Sequence, residues 1–392
     1  MDRRMGVIMV MLVTVFLGFG IIIPVLPEMI VGSGAERFHL YVMLAVYSAA
    51  SFLLSPLWGA LSDRIGRRPV LAIGVLGFSV SFLVFGLSEG HLALMYISRV
   101  LGGVFSGATT SCAVAYVADI TTQEKRTRAM GLVGMSIGLG FIFGPGIGGL
   151  LSGVSLATPF FAAAALAFAN FVFAMFALKE SLPPERRSGA DAGPRPSRWS
   201  AFQGPIAYLF TLLFVLTFAL AGLESTLQYF QMERFEATPR DMGVMFLVSG
   251  IVGALVQGGF IRRYAKPGTE ATLIRVGLTV QALGFVLLLF SRDVWTASLF
   301  MSVFAVGNSL LRPCVTSLIT QTTQAGQGVT GGLSSSMDSL GRIAGPLIAG
   351  GLFELRSALP FIVGAVVSLG AMLLLQRFLA KRAAFAGAPA AK

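Results

Sequence analysis

Residues 129–178 read AMGLVGMSIGLGFIFGPGIGGLLSGVSLATPFFAAAALAFANFVFAMFAL, fifty positions without one Asp, Glu, Lys or Arg. About 20 apolar residues cross the hydrocarbon core of a bilayer as a helix. Fifty is therefore two crossings joined by a short turn. A membrane β-barrel would alternate polar and apolar positions, and the uninterrupted apolarity here argues for helices.

The same reading extends outward in both directions. Residues 38–62 and 69–88 are likewise free of the four charged types. Twelve spans follow: 5–27, 39–62, 70–88, 92–118, 129–153, 159–178, 205–231, 241–261, 272–290, 294–320, 329–353 and 359–378. Composition agrees. Of 392 residues, 55% are hydrophobic and only 12% are charged, whereas an ordinary soluble domain is about 25% charged. A large soluble enzyme, a disordered chain and a disulfide scaffold are excluded, and most of the mass belongs in a lipid bilayer.

The formal net charge is +11. In a soluble protein that would suggest nucleic acid. Here the basic residues form short clusters between apolar runs, so no nucleic-acid partner is expected. One set of ends and loops holds 21 Lys and Arg, the opposite set 5, and Arg99, Arg312 and Arg342 lie within spans. The excess of basic residues marks the cytoplasmic side, which puts both termini there. Cys112 and Cys314 sit inside apolar runs, and His39 and His91 are too few for a cluster, so no metal site is expected. The N-terminal apolar run continues as a span and shows no signal-peptide cleavage pattern.

Residues 179–204, rich in Pro, Gly and Arg, read as a flexible linker. The expected organisation is a six-helix bundle over 1–178, a cytoplasmic linker over 179–204, a second six-helix bundle over 205–380 and a cytoplasmic tail over 381–392. The halves repeat. A shift of 201 positions carries Gly131, Gly140, Gly144, Pro145, Gly149, Pro159 and Phe160 onto Gly332, Gly341, Gly345, Pro346, Gly350, Pro360 and Phe361. Two similar six-helix halves are a transporter architecture, with the substrate path near the midplane.

Three motifs carry specific signals. The first is Gly59-Ala-Leu-Ser-Asp63-Arg64-Ile-Gly66-Arg67-Arg68, between spans 2 and 3. An anchoring basic loop explains its arginines, but not the glycines at a tight turn or an Asp placed to meet helix ends. The second is Arg99-Val-Leu-Gly102-Gly103 in span 4. Arg99 lies roughly 10 Å into the run at 1.5 Å per residue, shallow enough to snorkel to the interface. The third is the glycine series Gly131, Gly140, Gly144, Pro145, Gly148 and Gly149 on span 5. Small residues let helices approach closely, and Pro bends them.

Two acids lie mid-span. Glu224 has no basic residue within four positions, and Asp338 stands four residues before Arg342. A carboxylate in low dielectric can load and release a proton near neutral pH. Two readings of Asp338 stay open: an i, i+4 ion pair with Arg342, or a proton carrier. Glu224 is the first choice as carrier, and Arg312 could answer either acid. Among the aromatic residues Phe16, Phe19, Phe141 and Tyr229 lie beside Gly or polar residues on candidate pore helices, and Gln228 follows Glu224 by one turn. No G-x-x-x-x-G-K-[ST] phosphate loop is present, which argues against an ATP-driven pump in this chain alone.

The pattern G-x-x-x-D-R-x-G-R-R resembles the signature loop of the major facilitator superfamily. The resemblance implies the major facilitator fold, an all-α membrane protein of twelve helices in two pseudo-symmetric bundles. It implies that Asp63, Arg64 and Arg67 latch the cytoplasmic ends, with Asp119 as partner carboxylate. The second-half loop, Arg262 to Gly268, has lost the Asp, so one latch is expected. Arg99 resembles an arginine associated with proton coupling, and the span-5 glycine spacing resembles the motif of antiporters. Strings such as Phe19-Gly-Ile-Ile-Ile-Pro24-Val-Leu-Pro27 and Leu311-Arg-Pro313 are similar to the NorA and Bmr type of bacterial multidrug exporter. That type implies a bacterial cytoplasmic membrane protein, working as a monomer without a cofactor. It would exchange protons for amphipathic drugs, with coupling at Glu224 and a drug cavity lined by Phe141, Asn308 and Ser51. The NorA pattern has a second acid on span 10, where Ser309 stands here. Export of one metabolite, sugar or lipid is the alternative within transport. A membrane-embedded enzyme or sensor is the distant one.

Overall fold

The computed structural model describes residues 3–88, 90–183, 185, 187, 202, 204–261, 263, 268–323 and 327–387. Most of the expected linker and the end of the expected tail lie outside them. Arg186, Arg195, Arg198, Arg262, Lys266 and Lys392 fall there too. Among the described residues the regular structure is helical throughout.

The helices are α1 (Arg3–Ile22), α2 (Leu26–Gly32), α3 (Phe38–Ile65), α4 (Arg67–Gly86), α5 (Leu92–Asp119), α6 (Gln123–Leu151) and α7 (Thr158–Ala177). After them come α8 (Ala207–Phe235), α9 (Pro239–Leu255), α10 (Glu270–Leu288), α11 (Val294–Thr322), α12 (Gln327–Leu355) and α13 (Leu359–Gly387). A short 3₁₀ turn precedes α8, and a π-helical turn over Val256–Ile261 follows α9. Spans 2–12 correspond to α3–α13.

The expected first span is not continuous. Turn bonds from Ile23 to Gly20 and from Val25 to Ile22 (both 3.2 Å) separate α1 from α2. Pro24 and Pro27 lack the amide hydrogen that an unbroken helix needs, and Pro27 opens α2 instead. Among the described residues eleven segments are long and apolar enough to cross a bilayer by length and composition, with α1 and α2 counted as one. The remaining expected span, α12, has the length, at 29 residues. Ser334, Ser335, Ser336, Asp338 and Arg342 lower its hydropathy.

The chain divides into two compact units, Met1–Gly193 with Glu236–Leu247, and Pro194–Phe235 with Val248–Lys392. In the first unit α1 packs on α6 and α7, and α5 packs on α3 and α4. Lipid tails are as apolar as the helices, so association relies on close packing and interhelical hydrogen bonds rather than on a hydrophobic drive. Both appear. A Cβ on Gly140 would stand 2.6 Å from the backbone of Phe16 and Leu17, so only glycine permits this α1–α6 approach. Asn170 Nδ2 donates to Met11 O at 3.0 Å, Ser79 Oγ to Ala164 O at 2.8 Å and Ser98 Oγ to Ser81 O at 2.7 Å.

In the second unit α8 packs on α12 and α13, and α10 on α11 and α13. Leu212, Leu216, Leu278, Leu311, Val315, Leu333 and Leu375 belong to one buried apolar cluster. Asp293 caps α11 through Thr296 N at 2.8 Å in a reciprocal capping box. The Thr296 amide holds the Asp293 carboxyl below its ordinary range.

Candidate functional site

Four charges lie mid-span in the second unit. Glu224 on α8 forms an ion pair with Arg342 on α12 at 3.5 Å. Asp338 on α12 pairs with Arg312 on α11 through Oδ2. Its Oδ1 accepts a hydrogen bond from Thr217 of α8 at 2.7 Å. The expected intrahelical pair of Asp338 with Arg342 is thus not made. The glycines of α12 give the reason. A Cβ on Gly341 would stand 2.8 Å from Phe218 N, and one on Gly345 2.6 Å from Phe218 O. This approach brings Thr217 and Glu224 to α12, where each charge finds a better-placed partner on a neighbouring helix.

The two pairs share an asymmetry. Side-chain exposure is 54% for Arg312 against 19% for Asp338, and 35% for Arg342 against 28% for Glu224. The guanidinium is the more open member of each pair. A charge this open at mid-membrane depth must face water, because hydrocarbon would penalise it by several kcal/mol. A proton or a cationic ligand that takes either carboxylate must compete with its arginine.

The aromatic candidates of the first unit come together. Phe16 and Phe19 of α1 stand 5.7 and 5.5 Å from Phe141 of α6, and Phe19 lies 5.5 Å from Tyr47. Ser51 is half-buried on α3, its carbonyl accepting from Ser55 Oγ at 2.6 Å. In the second unit Asn308 is half-buried on α11, whereas Gln228 and Tyr229 are buried, with Tyr229 6.4 Å from Phe353. Arg99 does not snorkel. It is 3% exposed and lies over the Phe85 ring at 4.6 Å, with Nε and Nη2 enclosed without a hydrogen-bond partner.

At the α3–α4 junction Arg67 is the hub. Its guanidinium meets Asp63 at 2.6 Å, Asp119 at 3.1 Å and Ser62 Oγ at 2.5 Å. Arg64 is exposed and forms no ion pair among the described residues. Sequence reasoning missed the next element. Glu180 accepts the amides of Arg67 and Arg68 at 2.9 and 3.2 Å, so it caps the N-terminus of α4. Gly66, at φ +109°, leaves room for that carboxylate. Ser181 Oγ donates to Asp119 at 3.0 Å, and Tyr116 Oη donates to Lys179 O at 2.7 Å. The one available signal was an acid two residues beyond the last apolar residue of span 6.

The glycine series divides by role. Gly140 and Gly144 press on α1, and Gly148 on Ile21. Gly149 faces α9, where a Cβ would stand 2.7 Å from Pro239 O. Pro145 lies inside α6. A Cβ on Gly131 would meet nothing within 4 Å, so helix approach does not require it.

Twelve expected spans, internally repeated halves and mid-span charges paired across helices point to a transporter of the membrane. Residues 8–346 match the sequence model of the Major Facilitator Superfamily, and the chain belongs to that family of transporters rather than to the enzymes. It is 30% identical over 379 residues to the quinolone resistance protein NorA of Staphylococcus aureus (strain COL), covering 95% of this chain and 96% of that one. It is 34% identical over 358 residues to multidrug resistance protein 2 of Bacillus subtilis (strain 168), covering 90% and 89%. Among solved structures, the human organic anion transporter MFSD10 (TETRAN) is similar at TM-score 0.73 and 26% identity, over 95% of this chain and 99% of that one.

Proposed function

We propose that the chain exports amphipathic small molecules from the bacterial cytoplasm in exchange for protons. It works by alternating access, as a monomer with both termini in the cytoplasm. The observation that carries this reading is the pairing of Glu224 and Asp338 with arginines from neighbouring helices. A cationic drug and a proton would compete for the same carboxylates, which gives the negative linkage that exchange requires. Phe16, Phe19 and Phe141 supply an apolar wall for the body of the drug. Arg67, with Asp63, Asp119 and Glu180, serves as the cytoplasmic latch. The similarity to NorA and to multidrug resistance protein 2 supports the substrate class.

The test is uphill transport in proteoliposomes with an imposed proton gradient. Glu224→Gln keeps the side-chain shape and stands for the permanently protonated form. The variant should stay folded and lose uphill export. Binding of a cationic dye to the native protein should strengthen as pH rises, and Glu224→Gln should flatten that dependence. Uphill pumping by the variant with native pH dependence would remove Glu224 from the mechanism.

A second reading, transport of organic anions, draws on the more open arginine in each pair and on the similarity to the human organic anion transporter. An anion taking Arg312 would release Asp338 and favour its protonation. Anion and proton would then bind together, not in competition. The sign of the pH effect on binding separates the readings: stronger at high pH for exchange with cations, stronger at low pH for organic anions.

A further inference from the structure

A groove of about 200 Å³ runs along the first unit between α6 and α9. Phe143, Gly146, Ile147 and Leu150 line it from α6, and Arg240, Gly243, Val244 and Leu247 from α9. All eight residues belong to that unit. Phe143, Ile147 and Leu150 are exposed large hydrophobic residues on a membrane-spanning helix, so this face meets lipid. Glycine makes the groove. Gly146 and Gly243 present no side chain, and a Cβ on Gly243 would stand 2.8 Å from Pro145 O.

Size decides against a drug. Ligand pockets for drug-sized molecules run to about 300–1,000 Å³, and this groove is smaller. It is also elongated. Arg240 is the second residue of α9 and Leu247 lies seven positions further on, which is roughly 10 Å at 1.5 Å per residue. One stretch of an acyl chain fits such a slot.

Charge decides the head group. Arg240 is the single charged lining residue, and it is exposed at the end of the helix. Its neighbour Asp241 is turned to the chain: Thr238 N and Oγ1 donate to Asp241 Oδ2 at 2.9 and 2.7 Å. Among the described residues no carboxylate pairs with Arg240. A guanidinium with free donors at the end of an apolar slot matches a phosphodiester in geometry and sign.

We propose that this groove is a site for one anionic phospholipid, its phosphate on Arg240 and part of one acyl chain between α6 and α9. The bound lipid fills the space that Gly146 and Gly243 leave and braces Glu236–Leu247 against α6.

The test uses the full chain, purified and delipidated, with phosphatidylglycerol or phosphatidylcholine added in defined amounts. Native mass spectrometry reads lipid retention, and a thermal melt reads stabilisation. The native chain should retain one phosphatidylglycerol, and retain it about five-fold better than phosphatidylcholine, as one arginine near a lipid surface implies. Arg240→Gln should abolish the preference and leave the fold intact, since the residue is exposed. Arg240→Lys should keep part of it. Ile147→Trp, which fills the groove, should reduce retention of both lipids. Equal retention of the two lipids by the native chain would overturn the proposal. So would an undiminished phosphatidylglycerol preference in Arg240→Gln.

Discussion

The pairing of Asp338 with Arg312 instead of Arg342 can be tested by a double-mutant cycle. Three single variants are needed, Asp338→Asn, Arg312→Gln and Arg342→Gln, with the doubles that combine Asp338→Asn with each arginine change. Breaking a fully buried pair costs about 3–5 kcal/mol, and an exposed pair contributes about 0.2–1 kcal/mol. Arg312 is 54% exposed and Asp338 19%, so this pair lies between those limits. A coupling energy of about 1–2 kcal/mol is expected after discounting for solvent screening. Asp338→Asn retains an oxygen for the Thr217 hydroxyl, which keeps that hydrogen bond out of the difference. For Asp338 with Arg342, one turn apart on one helix without a direct ion pair, coupling should stay below about 0.5 kcal/mol, the upper end for i, i+4 neighbours. Reversible unfolding in mixed detergent–SDS micelles supplies the free energies. Strong coupling to Arg342 and none to Arg312 would refute the cross-helix assignment.

Glu180→Gln removes the charge that caps α4 and should cost about 1 kcal/mol of stability. Distances between labels on the cytoplasmic loops should broaden with it, and a merely structural cap would leave them unchanged. Gly140→Ala places a methyl group 2.6 Å from Phe16 and Leu17 and should destabilise by about 1–3 kcal/mol. The control Gly131→Ala meets open space and should stay within about 0.5 kcal/mol of the native protein. Asp293 has a depressed carboxyl pKa because the Thr296 amide donates to its charged form. Its contribution is present above the ordinary aspartate range and is lost as pH falls through the folded-state value. In an acid titration of stability, Asp293→Asn should be less stable than the native protein at neutral pH, and the difference should vanish as pH falls through the folded-state value.

Much of the fold was legible because a bilayer imposes a length and an apolarity that few other environments demand. The charge-free run 129–178 yields α6 and α7, although α6 begins at Gln123, where polar residues extend the helix beyond the apolar run. The break after Ile22 was not read, because Pro24 and Pro27 fall inside an apolar stretch and hydropathy does not register a missing amide hydrogen. The charges themselves were legible, since each is conspicuous in a span. Their partners were legible only in part: Arg312 stood out as able to answer either acid and meets Asp338, whereas the Glu224–Arg342 pair was not read. Spacing along a chain reports neighbours on one helix, whereas Glu224 and Asp338 find theirs across interfaces set by Gly341 and Gly345. Glu180 escaped for a related reason. It belongs by sequence to the linker, and only the fold carries it to the start of α4.

The internal repeat holds in three dimensions as well as in sequence, and where it fails is informative. The register of 201 carries Phe16, Leu17 and Gly20 onto Thr217, Phe218 and Ala221. In the first unit Gly140 presses on Phe16 and Leu17, and Gly144 on Leu17 and Gly20. In the second unit their counterparts Gly341 and Gly345 press on Thr217, Phe218 and Ala221. The α1–α6 and α8–α12 pairs are therefore two copies of one packing solution, with glycine at the same contacts. The first-copy counterparts of Glu224, Arg312, Asp338 and Arg342 are Ile23, Ser111, Ile137 and Phe141, none of them charged. Phe141 meets Phe16 ring to ring at 5.7 Å, whereas its counterpart Arg342 meets a carboxylate. A shared scaffold thus carries an aromatic surface in one copy and a charged one in the other. Charge at mid-membrane depth is expensive, and packing two helices does not call for it. Since the first copy closes the same glycine contacts with uncharged residues, helix packing leaves the four charges of the second copy unexplained, and the exchange chemistry proposed for that site would account for them.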